Sequence, residues 1–148
     1  EGRVLHLWFA FLSRGKEPNE PPDPRIAGRV EGIKKFLREH QWIMEDGEKP
    51  LYCSSLDFCV TPDGYGMLDG HPTVIELKRG AKMAVHRLQV AAQFMALADN
   101  GFYATKRFVL YLRDGDYRLE PCADRNDLRY WKALVESWYA IKIYGEGK

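Results

Sequence analysis

A mixed α/β fold, one central mixed β-sheet flanked by helices, is what this 148-residue sequence predicts. Three observations carry that prediction. Apolar residues recur at helical spacing near both ends of the chain and once in its middle; between these stretches the apolar groups shorten to strand length; and two Asp-Gly pairs, Asp69-Gly70 and Asp114-Gly115, fall where antiparallel strands would turn. The resulting order, α, α, β, β, β, α, β, β, α, argues for a mixed sheet covered by helices rather than a bundle or a sandwich. With 45% hydrophobic residues the chain can bury one sizeable core, and a single domain over residues 1–148 is expected. Position 1 is Glu rather than Met, which leaves open that further residues precede it.

Each element has a local reason. Val4, Leu5, Trp8, Phe9 and Leu12 line one side of a first helix, ended by Gly15 and the prolines at 18, 21 and 22. Asp23-Pro24 reads as a cap followed by a first-turn proline, and Ile26, Val30, Ile33, Phe36 and Leu37 mark a second helix closing near His40. From Trp42 the pattern becomes sheet, through Leu51, Tyr52, Phe58 and Val60 to Thr73, Val74, Ile75 and Leu77, with the Asp69-Gly70 turn between the last two segments. Leu88, Ala91, Ala92, Met95 and Ala98 define a third helix stopped by Asn100-Gly101. Strands follow at Phe108 to Leu112 and Tyr117 to Leu119. Asp127 to Tyr144 closes the chain as an amphipathic helix with Leu128, Trp131, Leu134, Val135 and Trp138 on one side.

Composition excludes several classes. The 22 Lys and Arg nearly balance 21 Asp and Glu, so any nucleic-acid contact must come from a local patch rather than a globally basic surface. Two groups qualify: Arg79, Lys82, His86 and Arg87, and on the second helix Lys34, Lys35 and Arg38. Phosphate contact and ordinary solvated charge compete equally for the group on the second helix, while the first group favours phosphate contact because it directly follows Lys78. Three cysteines, Cys53, Cys59 and Cys122, are too few for a disulfide framework, contain no CxxC pair, and fit a reducing, cytoplasmic setting. No apolar run is long enough to span a bilayer, so no membrane association is expected.

The chemistry gathers at the Asp69-Gly70 hairpin. A regular two-residue turn there sets Asp63 opposite Glu76, and like charges directly opposed across an antiparallel pair repel unless something positive lies between them. Lys78, two residues beyond Glu76, falls on the same strand face, while Ile75 and Leu77 face the other way. Two carboxylates with room for water suit Mg²⁺ or Mn²⁺, and the lysine could orient or help deprotonate a bound water. A solvated strand face with a weak ion pair is the competing reading. Asp57, the other acid entering a strand, is ruled out by register, because its facing residue would lie beyond Gly80.

These residues resemble a known family. Thr61-Pro62-Asp63, then Val74-Ile75-Glu76-Leu77-Lys78 and Gly80, are similar to two core motifs of the PD-(D/E)XK nucleases in their phage and RecB-type exonuclease form, with Val60 and Arg79 where the family often has Gly and Thr. Gly2 and His6 look like the family's G-x-x-x-H element. Gln89 fits the first position of its Q-x-x-x-Y motif, with Gln93 at the tyrosine position, and Glu48 matches an acidic position near the site in several relatives. The resemblance implies a restriction-endonuclease-like core and a Mg²⁺- or Mn²⁺-dependent deoxyribonuclease, exonuclease-like, of recombination, repair or phage DNA processing. It implies catalytic roles for Asp63, Glu76, Lys78 and Gln89, metal ligation by His6, Asp63, Glu76 and Leu77, an additional site carboxylate in Glu48, and DNA contacts from Arg79, Lys82, His86 and Arg87. DNA is the expected partner, in the cytoplasm of a bacterial or phage-infected cell, with a homo-oligomer or a recombination partner protein also open. Iron-sulfur relatives need four cysteines, so no cluster is expected here. The alternatives are a PD-(D/E)XK-fold module that binds DNA or protein without turnover, and an endonuclease.

Overall fold

A computed structural model describes residues 2–145. Helices α1 (Gly2–Ser13) and α2 (Ala27–Glu39) precede five strands, β1 (Trp42–Asp46), β2 (Leu51–Cys53), β3 (Phe58–Val60), β4 (Gly64–Leu68) and β5 (His71–Lys78). Helix α3 (Val85–Asp99), strands β6 (Lys106–Arg113) and β7 (Asp116–Pro121), and helix α4 (Asn126–Ala140) complete the domain, with a π-helical turn over Ile141–Gly145. The main sheet has the order β1-β4-β5-β6-β7, and among the described residues only β5 and β6 pair in parallel, joined through α3. This is a five-stranded mixed sheet flanked by helices. Among the described residues no helix is long and apolar enough to cross a membrane.

The period of two along β5 sorts its side chains between two cores. Ile75 and Leu77 join Leu5, Phe9, Val30, Ile33 and Phe36 beneath α1 and α2. Val74 joins Val90, Leu97, Val109 and Tyr111 beneath α3. Glu76 and Lys78 therefore emerge on the α3 side of the sheet, at the end of a strand whose earlier residues are fully covered.

The register across Asp69-Gly70 is the expected one, but the strand that carries it is not the apolar segment expected to precede the turn. Gly64–Leu68, and not Phe58–Val60, pairs with β5 across Asp69-Gly70, in the register Gly64 to Ile75 through Leu68 to His71. Two glycines within Gly64–Leu68 hide this segment from an apolar pattern. Phe58–Val60 pairs instead with Leu51–Cys53 in a separate two-stranded hairpin. Asp69 and Gly70 both have positive φ, 49° and 84°, as a tight primed turn requires.

Three helix readings also change. Asp23 accepts a hydrogen bond from the Arg25 amide (2.8 Å) in a local turn, so it does not cap α2, which begins at Ala27. The buried side of α3 is carried by His86, Val90, Ala91, Ala92, Gln93, Ala96 and Leu97, rotated from the stripe expected through Leu88 and Met95. Helix α4 buries only Asp127 and Val135, leaving most of its apolar side in contact with solvent.

Helix α2 lies so close to the β6–β7 turn that a Cβ at Gly32 would sit 2.3 Å from the Asp116 carbonyl oxygen, a backbone atom that cannot swing away. Gly32→Ala should therefore destabilise the domain by about 1–3 kcal/mol even though alanine favours the helix by roughly 1 kcal/mol. Urea unfolding measures the difference; a more stable variant would mean that α2 does not approach the turn this closely.

Candidate metal-dependent active site

The hairpin register carries Asp63 to the mouth of β4, next to Glu76 on β5. Asp63 is buried, and its Oδ2 accepts a hydrogen bond from the Leu77 amide (2.7 Å). Its carboxyl group also hydrogen-bonds that of Glu76. From α1, His6 Nδ1 approaches Asp63 Oδ1 at 3.3 Å and Glu48 Oε1 at 3.7 Å. On the other side, Lys78 Nζ lies 3.8 Å from Glu76 Oε1, and Gln93 Nε2 donates to Glu76 Oε2.

Glu48 reaches the centre through an unusual backbone. Its φ is 61°, a left-handed conformation that non-glycine residues adopt at a cost, and its amide is tied to the Pro62 carbonyl (2.8 Å). Gly47 makes this possible, since a Cβ there would meet the Asp63 carbonyl oxygen at 2.4 Å. The loop after β1 is thus pressed against the residue it serves.

Electrostatics follow from burial and crowding. Asp63 is pushed up to about 6, first by desolvation and further by the Glu48 charge, against the pull of its hydrogen bonds and Lys78. Glu76 is pushed up to about 8 by desolvation, then by the Asp63 charge and the hydrogen bond between the two. Burial and mutual repulsion thus act in the same direction on both carboxyl groups, favouring their neutral forms.

One ligand atom each from His6, Glu48 and Asp63 lies within 4.8 Å of the others, a spacing that could hold a metal ion. Two buried oxygens here, Glu48 Oε1 and Gln93 Oε1, have no hydrogen-bond partner. Imidazole and carboxylate donors of this kind suit Mn²⁺, and the carboxylates suit Mg²⁺. The grouping differs from the expected ligand set. Glu48 is in it; Glu76 is not, and it is hydrogen-bonded to Asp63 and Gln93. Leu77 has its side chain in the core, and what it presents to the centre is its amide.

The remaining residues divide. Gln89 is exposed and lines a cleft with Glu76, Lys78 and Gln93. Arg79 lines a second small cleft with His6 and Lys78 on the α1 side. Lys82 is paired with Glu120 (2.6 Å) and Arg87 with the buried Asp127 (3.4 Å). His86, expected among the phosphate contacts, is buried and shares a hydrogen bond with Tyr111 Oη (2.8 Å), so it faces the core. The basic stretch therefore splits into separately paired residues instead of one open patch. Asp57 lies in the β2–β3 turn, where Tyr52 Oη donates to its carboxylate (2.7 Å).

Sequence reasoning missed Gln93 as a partner of Glu76. The signal was a single amide within Val90–Leu97, an otherwise apolar run on α3. It also missed Trp131, which reaches the same cleft from α4. Comparison with protein-family models and with curated proteins gives no match.

Both carboxyls have folded-state pKa values above their ordinary ones, so the folded chain holds extra protons between about pH 4 and pH 8 and loses stability as pH rises through that window. In chelator the melting temperature should fall from pH 5 to pH 8, and Glu76→Gln should flatten the fall. Mn²⁺ competes with these protons, so it should raise the melting temperature more at pH 8 than at pH 5, by about 2.7 kcal/mol of stability at a hundredfold excess over Kd. A flat profile with no response to Mn²⁺ would argue against a cation site here.

Proposed function

We propose that this chain is a divalent-metal-dependent deoxyribonuclease of PD-(D/E)XK type, exonuclease-like, that hydrolyses phosphodiester bonds. The observation that carries the reading is the meeting of His6, Glu48 and Asp63 at one end of a buried carboxyl pair, with Lys78 beside Glu76 at the other. A solvated strand face would not bury Asp63 and Glu76 or draw residues from α1, the β1 loop and α3 toward them.

His6, Glu48 and Asp63 would hold the cation, and Glu76 would add a carboxylate from the facing strand. A bound Mg²⁺ or Mn²⁺ would polarise the phosphoryl group and lower the pKa of an attacking water. Lys78 would hold that water from beside Glu76, its ammonium donating to the water oxygen, while the water's proton passes to solvent as the new phosphorus–oxygen bond forms and one bridging phosphorus–oxygen bond breaks, its oxygen taking up a proton from solvent. Gln93 fixes the rotamer of Glu76 from α3. Gln89, exposed on the same cleft, would hydrogen-bond a phosphate oxygen.

Linear DNA incubated with Mn²⁺ or Mg²⁺ should be degraded, and chelator should stop the reaction. Lys78→Ala should slow cleavage by about a hundredfold or more, with DNA binding in chelator changed only a few-fold, because one lysine is a small part of a multi-contact phosphate surface. Retained cleavage in that variant would remove Lys78 from the chemistry. Linear DNA should also be degraded much faster than covalently closed circles at equal nucleotide concentration and low salt, since Lys82 and Arg87 beside the site are engaged by Glu120 and Asp127 and are not free to grip an intact duplex there. Equal rates on both forms would make the enzyme an endonuclease.

A further inference from the structure

The segment between β7 and α4 is fastened to the start of β6, and the fastening gathers cations. The Cys122 amide donates to the Arg107 carbonyl (2.8 Å), and Arg107 Nη2 donates to the Asp124 carbonyl (3.0 Å). Beside these contacts opens a cavity of about 490 Å³, lined by Lys106, Arg107 and Arg125 together with the apolar Phe94, Phe108 and Leu128. Its volume falls within the range of pockets that hold small molecules. Among the described residues on its lining there is no Asp or Glu. Two acids of the adjoining segment are engaged: Asp124 Oδ1 accepts the Asn126 amide (2.9 Å), and Asp127 pairs with Arg87 (3.4 Å). The lining cations are left poorly matched. Lys106 and Arg125 are exposed and have no ion-paired or hydrogen-bonded side-chain partner among the described residues. Arg107 Nε is buried with no hydrogen-bond partner, and the guanidinium lies 5.1 Å over the Phe94 ring. Burial pulls the Arg107 pKa below its ordinary value, against the attraction of Asp127. Unmatched positive charge in a concave, partly apolar place complements an anion that carries an apolar body.

We infer that this cavity binds a small phosphate monoester, its phosphoryl group met by Lys106 and Arg125 and its apolar body lying against Phe108 and Leu128. Two unpaired cations, with Arg107 behind them, suit a dianion better than a singly charged carboxylate, and phosphate oxygens accept several charge-assisted hydrogen bonds at once. The site is separate from the carboxyl centre. Lys106 stands opposite Thr73 on the β5–β6 ladder, whereas Lys78 stands opposite Tyr111, about 16 Å further along the strands. The inference therefore does not depend on the nuclease reading. A polynucleotide presents the same phosphate chemistry, but it follows a continuous basic strip, and here the cations converge on one cavity with an apolar wall.

The probe is α-naphthyl phosphate, a fluorescent phosphate monoester on an apolar body, titrated by anisotropy into the full chain in chelator. The control is α-naphthol, the same body without the charge. The phosphate ester should bind roughly tenfold more tightly than the naphthol, as one or two charge-assisted hydrogen bonds would give. Lys106→Gln and Arg125→Gln, changes at exposed side chains, should each weaken the ester roughly tenfold while leaving naphthol binding and the melting temperature as in the wild type. Lys78→Ala should leave ester binding unchanged, because Lys78 lies at the other end of the strands. Equal affinity for ester and naphthol overturns the site, and so does ester binding that neither glutamine variant weakens. Loss of ester binding in Lys78→Ala would place the phosphate at the carboxyl centre and overturn it too. Oligo(dT) binding that requires Lys106 and Arg125, without any binding of the ester, would make the cavity part of a DNA surface and overturn the small-molecule reading.

Discussion

Two carboxyl groups buried against each other at the mouth of one hairpin are the constraint around which this structure is arranged. Asp63 and Glu76 cannot both carry charge there without compensation, and the surroundings supply it piecemeal: the Leu77 amide and His6 on Asp63, Gln93 and Lys78 on Glu76. The four groups come from three elements, α1, α3 and β5. The strand order, the glycine that lets the β1 loop approach, and the placement of α1 and α3 on opposite faces of the sheet all meet this local need. The arrangement is costly to fold around, because two carboxyl groups leave water together.

Much of this was legible in residue order. The Asp69-Gly70 turn sets the register that opposes Asp63 and Glu76, and the period of two then assigns Lys78 to the same face as Glu76. Both follow from backbone geometry that tolerates few alternatives. Helix α1 and the hairpin of β6 and β7 were equally plain because their apolar residues repeat without interruption. What escaped depended on tertiary contact. Gly64 to Leu68 carries two glycines and only scattered apolar residues, so its pairing with β5 had no pattern of its own. The side of α3 that packs inward includes an amide, Gln93, whose value lies wholly in reaching Glu76.

The charged residues were the least legible. Arg79, Lys82, His86 and Arg87 read as one basic stretch, yet Glu120, Asp127 and Tyr111, all distant in sequence, engage three of them. A cluster in sequence becomes a patch in space only if nothing nearby neutralises it. The same logic ran in the opposite direction for α4, whose apolar side promised burial and instead faces outward beside the cleft. Hydrophobic periodicity reports that a face seeks cover, without saying whether the cover comes from the same chain.

Among the described residues the β2–β3 hairpin shares no backbone ladder with the main sheet. It is held by side chains: Asp99 receives the Ser55 amide (2.8 Å), Asn100 donates to the Tyr52 carbonyl (3.0 Å), and Tyr139 donates to the Asp57 carbonyl. One wall of the cleft is therefore modular. Residues inserted at its tip would reshape the approach to the site without shifting the pairing of β4 with β5, on which the opposition of Asp63 and Glu76 depends. Such a wall is where a lineage could change what enters the cleft while leaving the machinery behind it intact, because loops tolerate length changes that paired strands do not.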